Sequence, residues 1–266
     1  MKEFKFSEAE VKARKVLDEC GLNDPVGIQM SRIILGRKAF YEEASLKGKE
    51  GEIVSVGGRS MITINSNIQY ETKKRFAAAH ELGHHEMHGD LKPIFSDTEE
   101  DLMNWYQAGP HEVQANEFAA EFLMPSEIFY KECQTKTNKT FEPKLIQLLS
   151  DRFQVSKTAA ILRFAKRGNH PVFVVFCKDN KMKWFKPSHD FRYFCPFFVR
   201  DAPPPTGSVA NEIFSGKKAY LNDEAKQDIW KSDWFEMKDD EKDSRFFEYC
   251  LYAPSYNYTI SIIWEK

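Results

Sequence analysis

Two periodicities divide the 266-residue chain. Up to about residue 168 the apolar positions recur mostly at the three-to-four-residue spacing of helices, and beyond residue 170 they alternate or run in short blocks of strand length. Residues 7–20, SEAEVKARKVLDEC, begin with a serine suited to capping, carry Glu8 and Glu10 in the first turn and stop before Gly21. That combination predicts an opening helix. GEIVSVGGRSMITINSN alternates on either side of Gly57-Gly58, which predicts a hairpin whose second strand covers roughly 60–65. Helical spacing then predicts a helix over about 71–88, closed by Gly89, and another over about 111–123, closed before Pro125. A polar loop over 90–110 joins them, and shorter helices are expected at about 126–133, 143–153 and 157–167.

From Pro171 the pattern changes. PVFVVFCKDNKMKWFKP predicts a hairpin around Asp179-Asn180, and RFFEYCLYAPSYNYTISIIWEK a second one near the end of the chain. The aromatic residues Phe194, Phe197, Phe198, Trp230, Trp234 and Trp264 are expected to fill the core of that sheet. The fold class expected is therefore α+β in two domains. Residues 1–168 form the first, with 143–168 as a helical pair, and 169–266 form a smaller β-rich domain suited to interaction or sensing.

Composition narrows the setting more than the function. Lys plus Arg number 38 and Asp plus Glu 40, so no global charge points to nucleic acid or an anionic membrane. Five cysteines without a C-x-x-C spacing disfavour a disulfide framework or a cysteine-based zinc site. No apolar leader and no apolar run of membrane-spanning length occurs, so a soluble, cytoplasmic protein is expected.

The chemistry gathers in RFAAAHELGHHEMHGD, residues 75–90, which holds four of the seven histidines. His80-Glu81-Leu82-Gly83-His84 reads H-E-x-x-H; on a helix its two histidines lie about 40° and one turn apart, so both rings reach one ion. Glu81 projects about 60° beyond His84, where a carboxylate acts on a bound water as general base rather than competing as a ligand. A catalytic zinc needs a third protein ligand and an open position. On the following helix Gln114, Glu117 and Glu121 form a polar stripe, whereas Glu112 shares the opposite face with Ala115, Asn116, Ala119 and Leu123. A carboxylate on a core-facing stripe calls for a cation, which makes Glu112 the third candidate ligand. Asn116 is placed to hydrogen-bond a ligating histidine, and the two alanines allow close helix approach. His88, Tyr106 and His111 are candidates to polarise a scissile carbonyl or stabilise its oxyanion. His85 falls away from the ligand sector.

RFAAAHELGHH followed by HEVQANEFAAEFLMP, and then VSKTAAILRFAKRG at 155–168, resembles the ImmA/IrrE family of zinc metallopeptidases. The resemblance implies a zincin-like, gluzincin-type core with zinc held by His80, His84 and Glu112 and Glu81 as acid/base. It also implies a protein substrate, commonly a helix-turn-helix repressor, and a substrate strand added antiparallel to an edge strand before the active helix. SMITINSN would be that edge.

Two other readings remain. LIQLLSDRFQVSKTAAILRFAKRG has the outline of a helix-turn-helix with Ser156 as a cap, but six Lys/Arg against two Asp/Glu over 142–168 make it only mildly basic, which disfavours direct nucleic-acid binding. Alternatively the zinc stabilises a non-proteolytic regulatory or toxin–antitoxin binding partner.

Overall fold

The computed structural model describes residues 4–56, 59–88, 94–97, 109–136, 141–193, 197–216 and 224–266. It is a mixed α+β structure in two compact units, one of residues 1–131 with 148–159, the other of 132–147 with 160–266.

In the first unit, α1 (Glu8–Glu19) opens with the cap the sequence predicts. Ser7 Oγ accepts from the Glu10 amide at 3.3 Å while the Glu10 carboxylate accepts from the Ser7 amide at 2.9 Å. This reciprocal pair satisfies two donors that a helix start leaves open. The expected hairpin is β2 (Gly51–Val56) against β3 (Arg59–Asn65), in antiparallel register; its Gly57-Gly58 turn lies outside the described residues.

In this unit the pattern misses α2 (Met30–Gly36), β1 (Ala39–Ala44), which pairs parallel to β3, and a strand at 94–97 inside the stretch expected to be only a polar loop, a segment too short to show alternation and held by pairing with β2. With β4 (Ile94–Asp97) beside β2, the sheet order is β1-β3-β2-β4. The expectation that SMITINSN presents an open edge is therefore overturned. β3 is interior, because β2 occupies one of its sides and β1 the other; the edges are β1 and β4. The parallel partner enters behind a seven-residue helix too short for periodicity to single out.

β3 leads into α3 (Glu71–His88), against which packs α4 (Pro110–Leu123), with proline at its first turn, where no helical hydrogen bond is lost. A Cβ at Gly83 would meet the Ala115 Cα at 3.2 Å and the Phe118 ring at 3.1 Å. Glycine on one helix and alanine on the other thus set the close approach that brings polar groups of the two helices together. α5 (Ser126–Lys136), α6 (Pro143–Phe153) and α7 (Lys157–Arg167) follow, and Ser156 Oγ caps α7 by accepting from the Ala159 amide at 3.1 Å.

The second unit is built on an antiparallel sheet of order β6-β5-β9-β8-β7, with β5 (Phe173–Lys178), β6 (Lys181–Pro187), β7 (Glu224–Trp230), β8 (Arg245–Ala253) and β9 (Tyr258–Glu265). Asp179 and Asn180 both take positive φ, the conformation of a two-residue hairpin turn whose twist matches its strands. One face of the sheet packs a core of Phe173, Val175, Trp234, Phe235, Phe246 and Ile263 under the short helix α8 (Val209–Phe214). Trp234 and Trp264 are buried as expected, but Phe197 and Trp230 are exposed; the Trp230 ring instead stacks under the Arg245 guanidinium at 3.5 Å, and Phe194 lies outside the described residues. Among the described residues no helix is long and apolar enough to cross a membrane, and Cys20, Cys133, Cys177 and Cys250 are not joined in disulfides.

Candidate metal centre

Three side-chain atoms from two helices of the first unit converge on one point. His80 and His84, one turn apart on α3, bring their Nε2 atoms to 2.9 Å from each other. Glu112, in the first turn of α4, brings Oε2 to 3.1 Å from His80 Nε2 and 3.3 Å from His84 Nε2. These residues are one group able to hold a metal ion among the described residues. Ligands at about 2.0–2.1 Å from a tetrahedral zinc stand about 3.3 Å from one another, so the triangle has the size of one tetrahedral face, slightly contracted.

The donor set also fits a cation electronically. His80 Nδ1 lies 2.9 Å from Asn116 Oδ1, an acceptor, so the ring proton sits on Nδ1 and the Nε2 lone pair faces the triangle. Burial holds the His84 imidazole pKa down to about 4, against the raising effect of Glu112, and so keeps the ring in the neutral form a metal requires. Burial alone would raise the Glu112 pKa, but the contacts of its carboxylate with His80 and His84 outweigh that and lower it, so Glu112 meets a cation as the charged carboxylate. The histidines are 0% and 1% exposed, while the Glu112 side chain is 20% exposed, so solvent reaches the triangle from the Glu112 side.

Glu81 is buried, and its carboxylate is not among the three converging atoms. It lies against the first residue of β2: a Cβ on Gly51 would come within 2.8 Å of Glu81 Oε1 and 3.0 Å of its Cγ. His88, also buried, stands behind His84, with Nδ1 3.0 Å from His84 Nδ1 and Nε2 2.9 Å from Gln114 Oε1. The exposed His111 ring sits 4.5 Å from that of His88. Tyr106 lies outside the described residues. His85 bridges Ser60 Oγ and the Arg37 carbonyl, each at 3.0 Å, and so joins α3 to β3 and to the end of α2.

The polar stripe read for α4 does not face water as a whole. Glu121 is fully buried, because Arg14 of α1 meets it at 3.1 Å and the Ser126 hydroxyl and amide donate to it at 2.7 and 3.2 Å. Gln114 turns toward His88. A helical wheel cannot see a partner 107 positions away in sequence. Three neighbours of the site carry signals of their own. Gly83 stands inside the H-E-x-x-H segment, Gly51 opens a strand where glycine is disfavoured, and His88 continues the i, i+4 spacing of His80 and His84.

Among solved structures, a Mycobacterium tuberculosis transcriptional regulator matches 97% of this chain and 76% of its own, with a TM-score of 0.62 at 13% identity, a likeness of fold. No protein of curated function matches in sequence. The sequence model of the IrrE N-terminal-like domain matches residues 35–165, a span that opens in α2, closes in α7 and encloses His80, Glu81, His84 and Glu112. This metallopeptidase-like segment, residues 35–165, is an IrrE N-terminal-like domain of the ImmA/IrrE family that the motifs resemble.

Proposed function

We propose that the protein is a zinc-dependent endopeptidase that hydrolyses a peptide bond in a protein substrate, and that the substrate is a helix-turn-helix repressor. The observation that carries the reaction is the triangle of His80, His84 and Glu112 with the Glu81 carboxylate one residue from a ligand and outside the ligand set. Zinc bound there supplies Lewis-acid chemistry, polarising the scissile carbonyl and acidifying water. The chain's own residues do the rest. His80 and His84 offer neutral nitrogen donors, with Asn116 orienting the first. Glu112 balances the charge of the cation. Glu81 accepts the proton of the attacking water at its carboxylate and returns it to the leaving amine. Water adds directly to the carbonyl, and no covalent enzyme intermediate is needed.

The repressor as substrate rests on the family resemblance and agrees with the M. tuberculosis fold neighbour being a transcriptional regulator. A direct DNA-binding role for 143–168 has less support: Ala159–Ala165 of α7, the helix that would read bases, are buried throughout, Arg163 included. The test is incubation of the purified protein with a candidate repressor, with and without chelator, followed by mass spectrometry of fragments. Cleavage that disappears with chelator and with Glu81→Gln supports the reading. Regulation that survives Glu81→Gln but not His80→Ala would replace it with metal-dependent binding.

A further inference from the structure

We infer that His88 and Gln114 are positioning residues for His84: they fix its ring in the metal-binding tautomer and thereby set the affinity of the site. The inference rests on the reading of His80, His84 and Glu112 as a cation site.

Three histidines occupy one stripe of α3 at successive i, i+4 positions, and spacing alone would make His88 a rival ligand to Glu112. The geometry separates them. His84 turns Nε2 toward His80 and Glu112 and Nδ1 toward His88. His88 therefore touches the back of the ligand ring and not its coordinating nitrogen.

The positions of the protons follow from the acceptor at the far end. Gln114 Oε1 faces His88 Nε2 at 2.9 Å, so His88 Nε2 carries the proton and donates it. His88 Nδ1 then has a lone pair, which accepts from His84 Nδ1–H at 3.0 Å. With its proton on Nδ1, His84 has an Nε2 lone pair free for the cation. The reverse placement would set the His88 Nε2 lone pair against the Gln114 carbonyl oxygen and put a proton on the coordinating nitrogen of His84. His80 has the same support in a single step, from Nδ1–H to Asn116 Oδ1. Each ligating imidazole is thus backed from the opposite helix, His80 directly and His84 through a second histidine. Ring-orienting partners of this kind are worth 10–100-fold in metal affinity.

The test is zinc affinity, measured on the metal-free full chain by competition with a chromophoric chelator, together with the visible absorption of the cobalt-substituted protein. His88→Phe fills the space without an acceptor and is expected to weaken zinc binding by about 10–100-fold. His88→Asn, whose Oδ1 falls near the position of the lost Nδ1, is expected to restore most of it, which a packing role would not. Gln114→Met is expected to give a smaller loss, with the tetrahedral cobalt spectrum retained. A folded His88→Phe protein with wild-type affinity would overturn the inference; should that variant fail to fold, wild-type affinity in Gln114→Met would do so. Absence of stoichiometric zinc binding in the wild type would instead sink the underlying cation site, a separate and recognisable outcome.

Discussion

Glu81 Oε1 occupies the space that a Cβ on Gly51 would need, 2.8 Å from where that atom would stand. The opening residue of β2 therefore forms one wall of the cradle around the proposed acid/base. Gly51→Ala is expected to leave the strand intact, since the residue does not use the positive-φ region, and to push the carboxylate aside. Misplacing a reacting group by about 1 Å costs on the order of 100-fold in rate. The expected result is a kcat lowered by 10–100-fold with KM and zinc content little changed, checked by steady-state kinetics and metal analysis. A wild-type kcat would mean that Glu81 does not act from this position.

Zinc that binds only the folded chain must stabilise it. With free zinc at about 100 times Kd the gain is about 2.7 kcal/mol, so a chelator should lower the melting temperature of the wild type by several degrees. His84→Ala should remove that difference. Glu81→Gln should preserve it, because Glu81 stands outside the ligand triangle. Calorimetric melts of the three proteins with and without chelator measure this directly, and an equal loss in Glu81→Gln would place Glu81 among the ligands.

Local signals carry the opening helix, the H-E-x-x-H helix and the Asp179-Asn180 turn: a capping serine with its glutamate, an i, i+4 pair, two residues that tolerate positive φ. Glu112 is legible for the same reason, as a charge on an otherwise apolar helix face. What sequence reasoning misses is set by partners distant along the chain. β3 looks like an edge until β1 pairs with it in parallel, Glu121 looks solvated until Arg14 reaches it, and β7, with its run of Lys, Gln and Asp, becomes a strand by pairing with β8. Tertiary pairing overrides local preference at each of these positions.

The underside of α3 is tied to α1 and to the end of α2 by one buried carboxylate. Glu86 takes two bonds from Arg37, at 2.6 and 3.1 Å, and a third contact from Lys12 at 3.0 Å. Burial opposes its ionisation, but the Arg37 and Lys12 partners outweigh that and lower its pKa. A lowered folded-state pKa gives stability that is full above the ordinary carboxylate range and is lost as pH falls through the folded value. Glu86→Gln should therefore cost about 1.5–3 kcal/mol at neutral pH and progressively less on acidification. Denaturant titrations at several pH values check both the size and the trend; a cost that does not shrink in acid would contradict this account of the ion pair.

Glu248 of β8 makes the same kind of argument in the second unit, with no cation in reach of its carboxylate among the bonds it accepts. Its fully buried oxygens receive the Val209 and Ala210 amides at 2.9 and 3.2 Å, the Trp234 indole N–H at 3.0 Å and the Ser261 hydroxyl at 2.7 Å. Burial pushes its pKa up, while these four donors work in the opposite direction. Two of the donors are the first amides of α8, which have no partner inside their own helix; Ser208 Oγ accepts the Asn211 amide at 3.1 Å, so Glu248 completes the cap that Ser208 begins and pins α8 to the sheet. Glu248→Leu keeps the volume but leaves four donors buried without an acceptor, and should cost about 3–5 kcal/mol. Ser261→Ala removes one donor and leaves three, and should cost about 1 kcal/mol. The ordering is the point to measure, by chemical denaturation: were the leucine variant as stable as the alanine one, the carboxylate would be replaceable by packing alone, and its role in capping α8 would be wrong.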